Sequence, residues 1–169
     1  MGQTRWVANR FFLVITPIWT AVLGQIMQTL AEPHEEKEIR QIMGDLVMQL
    51  LGAQFYASFV WQPDSQAFSQ ATHINMDPVN LQAYEHYFQF HDPITPLMQR
   101  YRVAVRASDV LPHEALIRTE FFNDFLSKDG LYWGVNLYAW HQGRNLGDMR
   151  IWRDRRRENF SPDELRLLD

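Results

Sequence analysis

Trp19, Val22, Leu23, Ile26, Met27 and Leu30 recur at intervals of three or four residues, the spacing that gathers side chains on one side of an α-helix. Thr16 before Pro17 supplies an N-cap and a first-turn proline for that helix. Glu32-Pro33 interrupts the pattern, and Ile39, Ile42, Met43, Leu46, Val47, Leu50 and Leu51 resume it until Gly52 stops it. The period then changes to two. In QFYASFVW, Phe55, Ala57, Phe59 and Trp61 share one face of a strand, and PDSQ turns the chain toward a second strand near Phe68 to Ile74. Asp77-Pro78 caps another helix, which ends where Asp92-Pro93 starts a short one. Val103, Val105 and Ala107 predict a short strand, and LPHEALIRTEFFNDFLSKDG predicts helical turns stopped by Gly130. LYWGVNLYAW and LGDMRIWR then read as a hairpin around HQGRN, and Ser161 with Glu164 forms a capping box for a terminal helix. This order predicts an α/β chain of the α+β kind, with a central antiparallel sheet of about five strands flanked by helices.

Period two divides the late hairpin into Trp133, Val135 and Leu137 on one side and Tyr132, Asn136, Tyr138 and Trp140 on the other. One set is expected against the helices, the other toward solvent or a partner, where an aromatic row implies a dimer surface. With 169 residues the chain suits a single domain over 16–169, preceded by an N-terminal extension over 1–15. The 20 acidic and 16 basic side chains leave a formal charge of −4, so this chain alone has no electrostatic attraction to phosphate backbones. The absence of cysteine excludes disulfides, thiolate metal sites and cysteine nucleophiles. Arg5 and Arg10 precede the apolar run FFLVITPIWTAVLG, which imitates a secretion signal. Its roughly 14 residues are too few for a bilayer core, no small-x-small cleavage site follows, and its second half merges into the first helix, so the chain reads as cytoplasmic and not membrane-bound.

The stretch YEHYFQFHDPITP sets Tyr84, Tyr87 and Phe88 ahead of Asp92, a set of rings and one carboxylate suited to a small-molecule pocket. The simpler alternative keeps Tyr84 and Phe88 as core and Asp92 as the cap of the next helix. Phe121, Phe122 and Phe125 place at least two rings on one helical face, and Trp133 lies on a late strand; Phe121, Phe122 and Trp133 complete the candidate ligand-binding set. Arg150, Arg153, Arg155, Arg156 and Arg157 read as a solvated strand exit balanced by Asp148, Asp154 and Glu158, or as an anion or partner contact. Six histidines show no metal-binding spacing, and no phosphate loop or nucleophile motif occurs, which predicts no metal, no cofactor and no catalytic site; His91 beside Asp92 is the only local pair left for an enzyme.

The combination Y-x-x-Y-F-x-x-H-D-P-I-T, R-T-E-F-F-N-D-F-L-x-x-D-G and F-S-P-D-E-L resembles the N-terminal sensory domain of LuxR-type transcriptional regulators, in its GAF-like or PAS-like branch, over Ile18 to Asp169. The resemblance implies a sensor of an unknown small organic ligand, acting as a homodimer and reaching DNA through a C-terminal helix-turn-helix beyond this chain. Lactone-sensing members carry an aromatic residue, a Tyr one turn later and an Asp-Pro whose carboxylate receives the ligand amide proton. On this chain those positions are Tyr84, Tyr87 or Phe88, and Asp92-Pro93. The shorter interval to the aspartate and the lack of a counterpart for the second tryptophan favour the GAF-like branch over the lactone sensors. The alternative function is a ligand-free dimerisation or protein-interaction module with a filled core.

Overall fold

Thr16, the expected cap of the first helix, lies outside the residues that the computed structural model describes, 17–169. The first helix, α1, covers Pro17–Ala31 and buries Val22; α2 covers Glu36–Leu51 and ends as expected at Gly52, whose backbone is left-handed and whose amide bonds the Met48 carbonyl. β1 (Phe55–Gln62) and β2 (Ala67–Ile74) form the first hairpin. α3 (Pro78–His86) opens on Asp77, whose carboxylate accepts from the Val79 amide. A 3-10 turn follows at Phe88–Phe90, and α4 begins only at Thr95, running to Met98.

The expected strand over 103–107 shrinks to β3, Val105–Arg106, because the Asp109 carboxylate takes the Arg106 amide and guanidinium and closes α5 (Ala107–Val110) at once. After α6 (His113–Leu116), the segment Phe121–Leu126 is a π-helix that runs into α7 (Ser127–Asp129). β4 (Trp133–His141) and β5 (Arg144–Arg153) meet at Gln142-Gly143, both at positive φ as a tight hairpin requires. α8 (Pro162–Leu168) carries the Ser161–Glu164 capping box.

The five strands lie in the order β2-β1-β5-β4-β3, and every neighbouring pair is antiparallel. Helices pack on both faces, and each row of β4 contributes to a core: Val135 packs with Tyr56 and Ile151 beneath α1, α2 and α8, while Tyr138 packs with Ala57, Phe59 and Trp152 beneath α3, the 3-10 turn and the π-helix. Two apolar layers therefore flank one sheet, and both sets of alternating side chains carry apolar residues.

One irregularity decides what the second layer contains. Trp140 pairs with Asn145 but Ala139 with Gly147, so Leu146 has no partner on β4 and forms a bulge. Past the bulge Asp148 stands opposite Tyr138, and Arg150 opposite Asn136. Without the extra residue, Gly147 and Met149 would take those places and both charges would turn to the α1–α2 side.

Candidate functional site

Arg150 is 5 % exposed and sits at the centre of the α3-side layer. Its Nε donates to Asp148 Oδ2 at 2.8 Å, and its guanidinium lies over the rings of Phe59, Phe68 and Tyr84 at 4.5, 4.7 and 4.7 Å from their centres. Such contacts are worth about 2 kcal/mol when desolvated. Asp148 Oδ1 accepts from the Phe59 amide at 3.2 Å. Across the cavity Asp92, 6 % exposed, accepts through Oδ1 from the amides of Ile94 and Thr95 at 2.8 and 2.9 Å, and the Tyr84 hydroxyl points to its Oδ2 at 3.5 Å. Asn136 donates to the Tyr138 hydroxyl at 3.1 Å. Arg150 Nη2 and Asn136 Oδ1 remain without a protein partner. Asp92, Asn136 and Arg150, with Leu81, Phe121, Phe125 and Trp152, line a cavity of about 10 Å³, room for a single water molecule.

Burial pushes both carboxyls up from their ordinary range, and Arg150 opposes the shift in each. For Arg150 itself, burial pulls downward, but Asp148, Tyr84, Tyr138 and Asp92 outweigh it and hold the guanidinium charged. Burial likewise raises the Tyr84 and Tyr138 hydroxyls, which stay protonated donors. Because the folded-state pKa of Asp92 lies above the unfolded value, its contribution to stability is present at low pH and is lost as pH rises through the folded pKa. Asp92→Asn keeps an acceptor for the two amides and removes the charge. Its stability relative to the wild type is therefore expected to improve between pH 4 and pH 8, by about 1 kcal/mol or more, read from urea midpoints across that range. A difference that stays flat with pH would place the Asp92 pKa at its ordinary value.

The structure gathers Tyr84, Phe88, Asp92 and Phe121 in this layer. Tyr84 is fully buried among Phe59, Phe121 and Phe125. Tyr87 is 41 % exposed: it stacks on His91 and its hydroxyl donates to Glu120. α3 stops at His86 and the backbone turns at Tyr87, so the two tyrosines do not share a face despite their spacing. Phe122 packs beside His113 and Tyr132 and does not line the cavity. Trp133 lies against the α1–α2 layer and donates to the Arg157 carbonyl. His91 is exposed and bonded to the Tyr87 carbonyl, on the outside of the turn that carries Asp92 inward.

Sequence reasoning misses Asp148, Arg150 and Asn136 as site residues. It puts Arg150 and Arg153 in a solvated cluster, and both are buried. The bulge turns Arg150 inward; Arg153 reaches the Leu51 and Glu158 carbonyls and the Glu164 carboxylate, with its plane over Phe160. The available signal is the hairpin register: Asn136 and Arg150 are cross-strand partners once the bulge is counted. Among the described residues no group of three His, Asp or Glu is placed to hold a metal, and no helix is long and apolar enough to cross a membrane.

No protein-family model and no curated protein sequence matches the chain. Solved structures do. The VqsR ligand-binding domain of Pseudomonas aeruginosa superposes with a TM-score of 0.64 at 14 % identity, over 90 % of this chain and 88 % of that one. The N-acylhomoserine lactone dependent LuxR-family factor CepR2 of Burkholderia cenocepacia gives 0.65 at 13 % identity, over 89 % and 86 %. The GAF domain of a GAF/HD protein from Geobacter sulfurreducens gives 0.62 at 16 % identity, over 81 % and 87 %. The chain therefore has the α+β fold that LuxR-type ligand-binding domains and GAF domains share, as the motifs of its sequence imply.

Proposed function

We propose that this chain is the small-molecule-sensing domain of a LuxR-type, DNA-binding transcriptional regulator, working in the cytoplasm as a homodimer and acting on DNA through a separate helix-turn-helix. One observation carries the reading: the buried carboxyl of Asp92, the buried guanidinium of Arg150, itself paired to Asp148, and the unpaired amide oxygen of Asn136 converge on one cavity inside an aromatic layer. A domain selected only for stability has little reason to keep them, since each buried ion costs several kcal/mol in desolvation and apolar replacements are often neutral or better. Perturbed, partly unpaired groups in a cavity are the ordinary mark of a binding site. The fold shared with CepR2 and VqsR supports the same conclusion. A ligand that binds one dimer arrangement more tightly than another shifts the equilibrium toward it.

The described chain, produced in bacteria, is expected to carry a bound small molecule in native mass spectrometry, or to gain several degrees in melting temperature with at least one compound of a metabolite panel. A one-hundredfold excess over Kd stabilises by about 2.7 kcal/mol. Neither a bound mass nor a shift with any compound would end the sensory reading.

A second reading is favoured by the size of the cavity, about 10 Å³, and by an open apolar groove of about 820 Å³ on the other side of the sheet, lined by Leu23, Ile26, Met43, Leu137, Met149 and Leu168. It makes the chain an interaction module with a filled core. Light scattering separates the two readings: a tight dimer with no bound molecule and no thermal response supports the module.

A further inference from the structure

Where the sheet ends at the β1–β2 and β4–β5 turns, an open groove of about 950 Å³ lies between Trp61, Pro96, Trp140 and the bulge residue Leu146. It shares no residue with the cavity around Arg150. Three guanidiniums line it, those of Arg100, Arg102 and Arg144, against the single carboxylate of Asp64. Among the described residues none of the three pairs with an acid, whereas Arg40, Arg106, Arg150, Arg153, Arg156 and Arg166 all do. On a chain with a formal charge of −4, this positive excess is local. Arg102 lies over the Trp140 ring, 3.1 Å from its centre, a contact that holds the cation without supplying an oxygen for its N–H groups. The wall adds two more donors. Trp140 Nε1 and Asn145 Nδ2 are enclosed without an acceptor, and the Asn145 amide is held in that orientation because its Oδ1 receives the Gly147 amide at 2.9 Å. Enclosed donors are normally paired, so this wall is short of acceptors.

We propose that the groove binds an acidic peptide segment of a partner protein, with Arg100, Arg102 and Arg144 taking its carboxylates and Leu146, 52 % exposed, supporting an apolar side chain. Charge complementarity selects the occupant. Arginine clusters recognise acidic motifs, and the guanidinium fork meets a carboxylate with two parallel hydrogen bonds. Single-stranded nucleic acid instead needs free rings on which its bases stack. Both indoles of the groove are engaged, Trp140 by Arg102 and Trp61 by Phe68 at 4.8 Å between ring centres. Because the groove is already open, an extended chain enters without displacing the core. The inference is independent of the sensory reading.

Fluorescence anisotropy tests it with a labelled peptide of three Glu-Glu-Leu repeats, its Gln-Gln-Leu counterpart and a labelled oligothymidylate of equal length, at about 50 mM salt to limit screening. The acidic peptide is expected to bind saturably, and about ten times or more tightly than either of the others. Arg100→Gln, Arg102→Gln and Arg144→Gln are each expected to weaken it about threefold; all three side chains are exposed, so the fold tolerates the changes. Trp140→Phe keeps a ring beneath Arg102, removes the indole N–H, and is expected to weaken binding about twofold or more. Arg118→Gln combined with Lys128→Gln removes two exposed charges outside the groove and is expected to leave the affinity unchanged. No saturable binding of the acidic peptide, equal binding of the Gln-Gln-Leu peptide, or a loss in the Arg118 and Lys128 variant as large as in the groove variants overturns the inference. Tighter binding of the oligothymidylate overturns it as well and gives the groove to phosphates. Affinity unchanged by Trp140→Phe strikes the indole from the site.

Discussion

Arg150→Met is expected to lower the stability of the domain by about 3–5 kcal/mol at pH 7.5, the usual cost of leaving buried charges without their partner. The methionine fills much of the arginine's volume and keeps contact with the rings of Phe59, Phe68 and Tyr84, so packing accounts for little of the loss. What disappears is the buried cation that faces Asp148 and Asp92, both buried themselves. In the variant both carboxyls rise further above their unfolded values, so stability is lost as pH increases through the folded pKa values and regained on acidification. The deficit relative to the wild type is therefore largest at pH 7.5 and should fall by half or more at pH 4.5. Combining Arg150→Met with Asp148→Asn and Asp92→Asn should recover most of it, a coupling that a mutant cycle isolates. Urea unfolding followed by tryptophan fluorescence measures each of these differences. A loss under about 1 kcal/mol that ignores pH would mean that the guanidinium compensates no charge there.

Much of the architecture was legible because long periodic segments leave few choices. The three-to-four spacing from Trp19 to Leu30 and from Ile39 to Leu51, the alternation of Phe55 to Trp61, and the caps at Asp77 and Ser161 all specify local structure before any packing is known. Short segments do not. The 3-10 turn at Phe88–Phe90 and the π-helix at Phe121–Leu126 contain too few residues for a period to declare itself, and the break at Tyr87 that precedes the first of them leaves Tyr84 inward and Tyr87 half exposed. Asp92 bonds the backbone amides of Ile94 and Thr95, as the capping alternative requires, and it also borders the cavity, where a ligand contact belongs to the sensory function proposed above.

The rings around Tyr84 pack against a cation from their own chain, and nothing in the alternation of LGDMRIWR could announce it. Met149 and Ile151 supply an apolar face, which casts Asp148 and Arg150 as the solvent face. Both faces are in fact covered, and one of them is covered over charge. A buried ion pair inside an aromatic layer is a local conflict with pattern rules, and such conflicts concentrate where function has overridden stability.

The second large effect is expected at Gly147, which allows that burial. Its backbone has φ +155°, and a Cβ built there would lie 2.2 Å from the Phe59 carbonyl oxygen and 3.3 Å from Val60 Cα. These are backbone atoms of the neighbouring strand, so no side-chain rotation relieves the clash. Gly147→Ala must either part β1 from β5 beside the bulge or abandon the bulge. The first weakens the pairing of Phe59 with Asp148; the second turns Asp148 and Arg150 to the opposite face. A cost of about 3 kcal/mol follows, combining overpacking with an unfavourable backbone conformation. Gly143→Ala is the control, because Gly143 also has positive φ, +78°, but its Cβ would meet nothing within 4 Å. That variant isolates the conformational part, about 1 kcal/mol. The difference of roughly 2 kcal/mol between the two, read from urea midpoints with unchanged slopes, is the steric part. Equal costs would mean that β1 yields freely at Phe59, and the position of Asp148 and Arg150 would then have to be fixed by the helices above them rather than by the strand register.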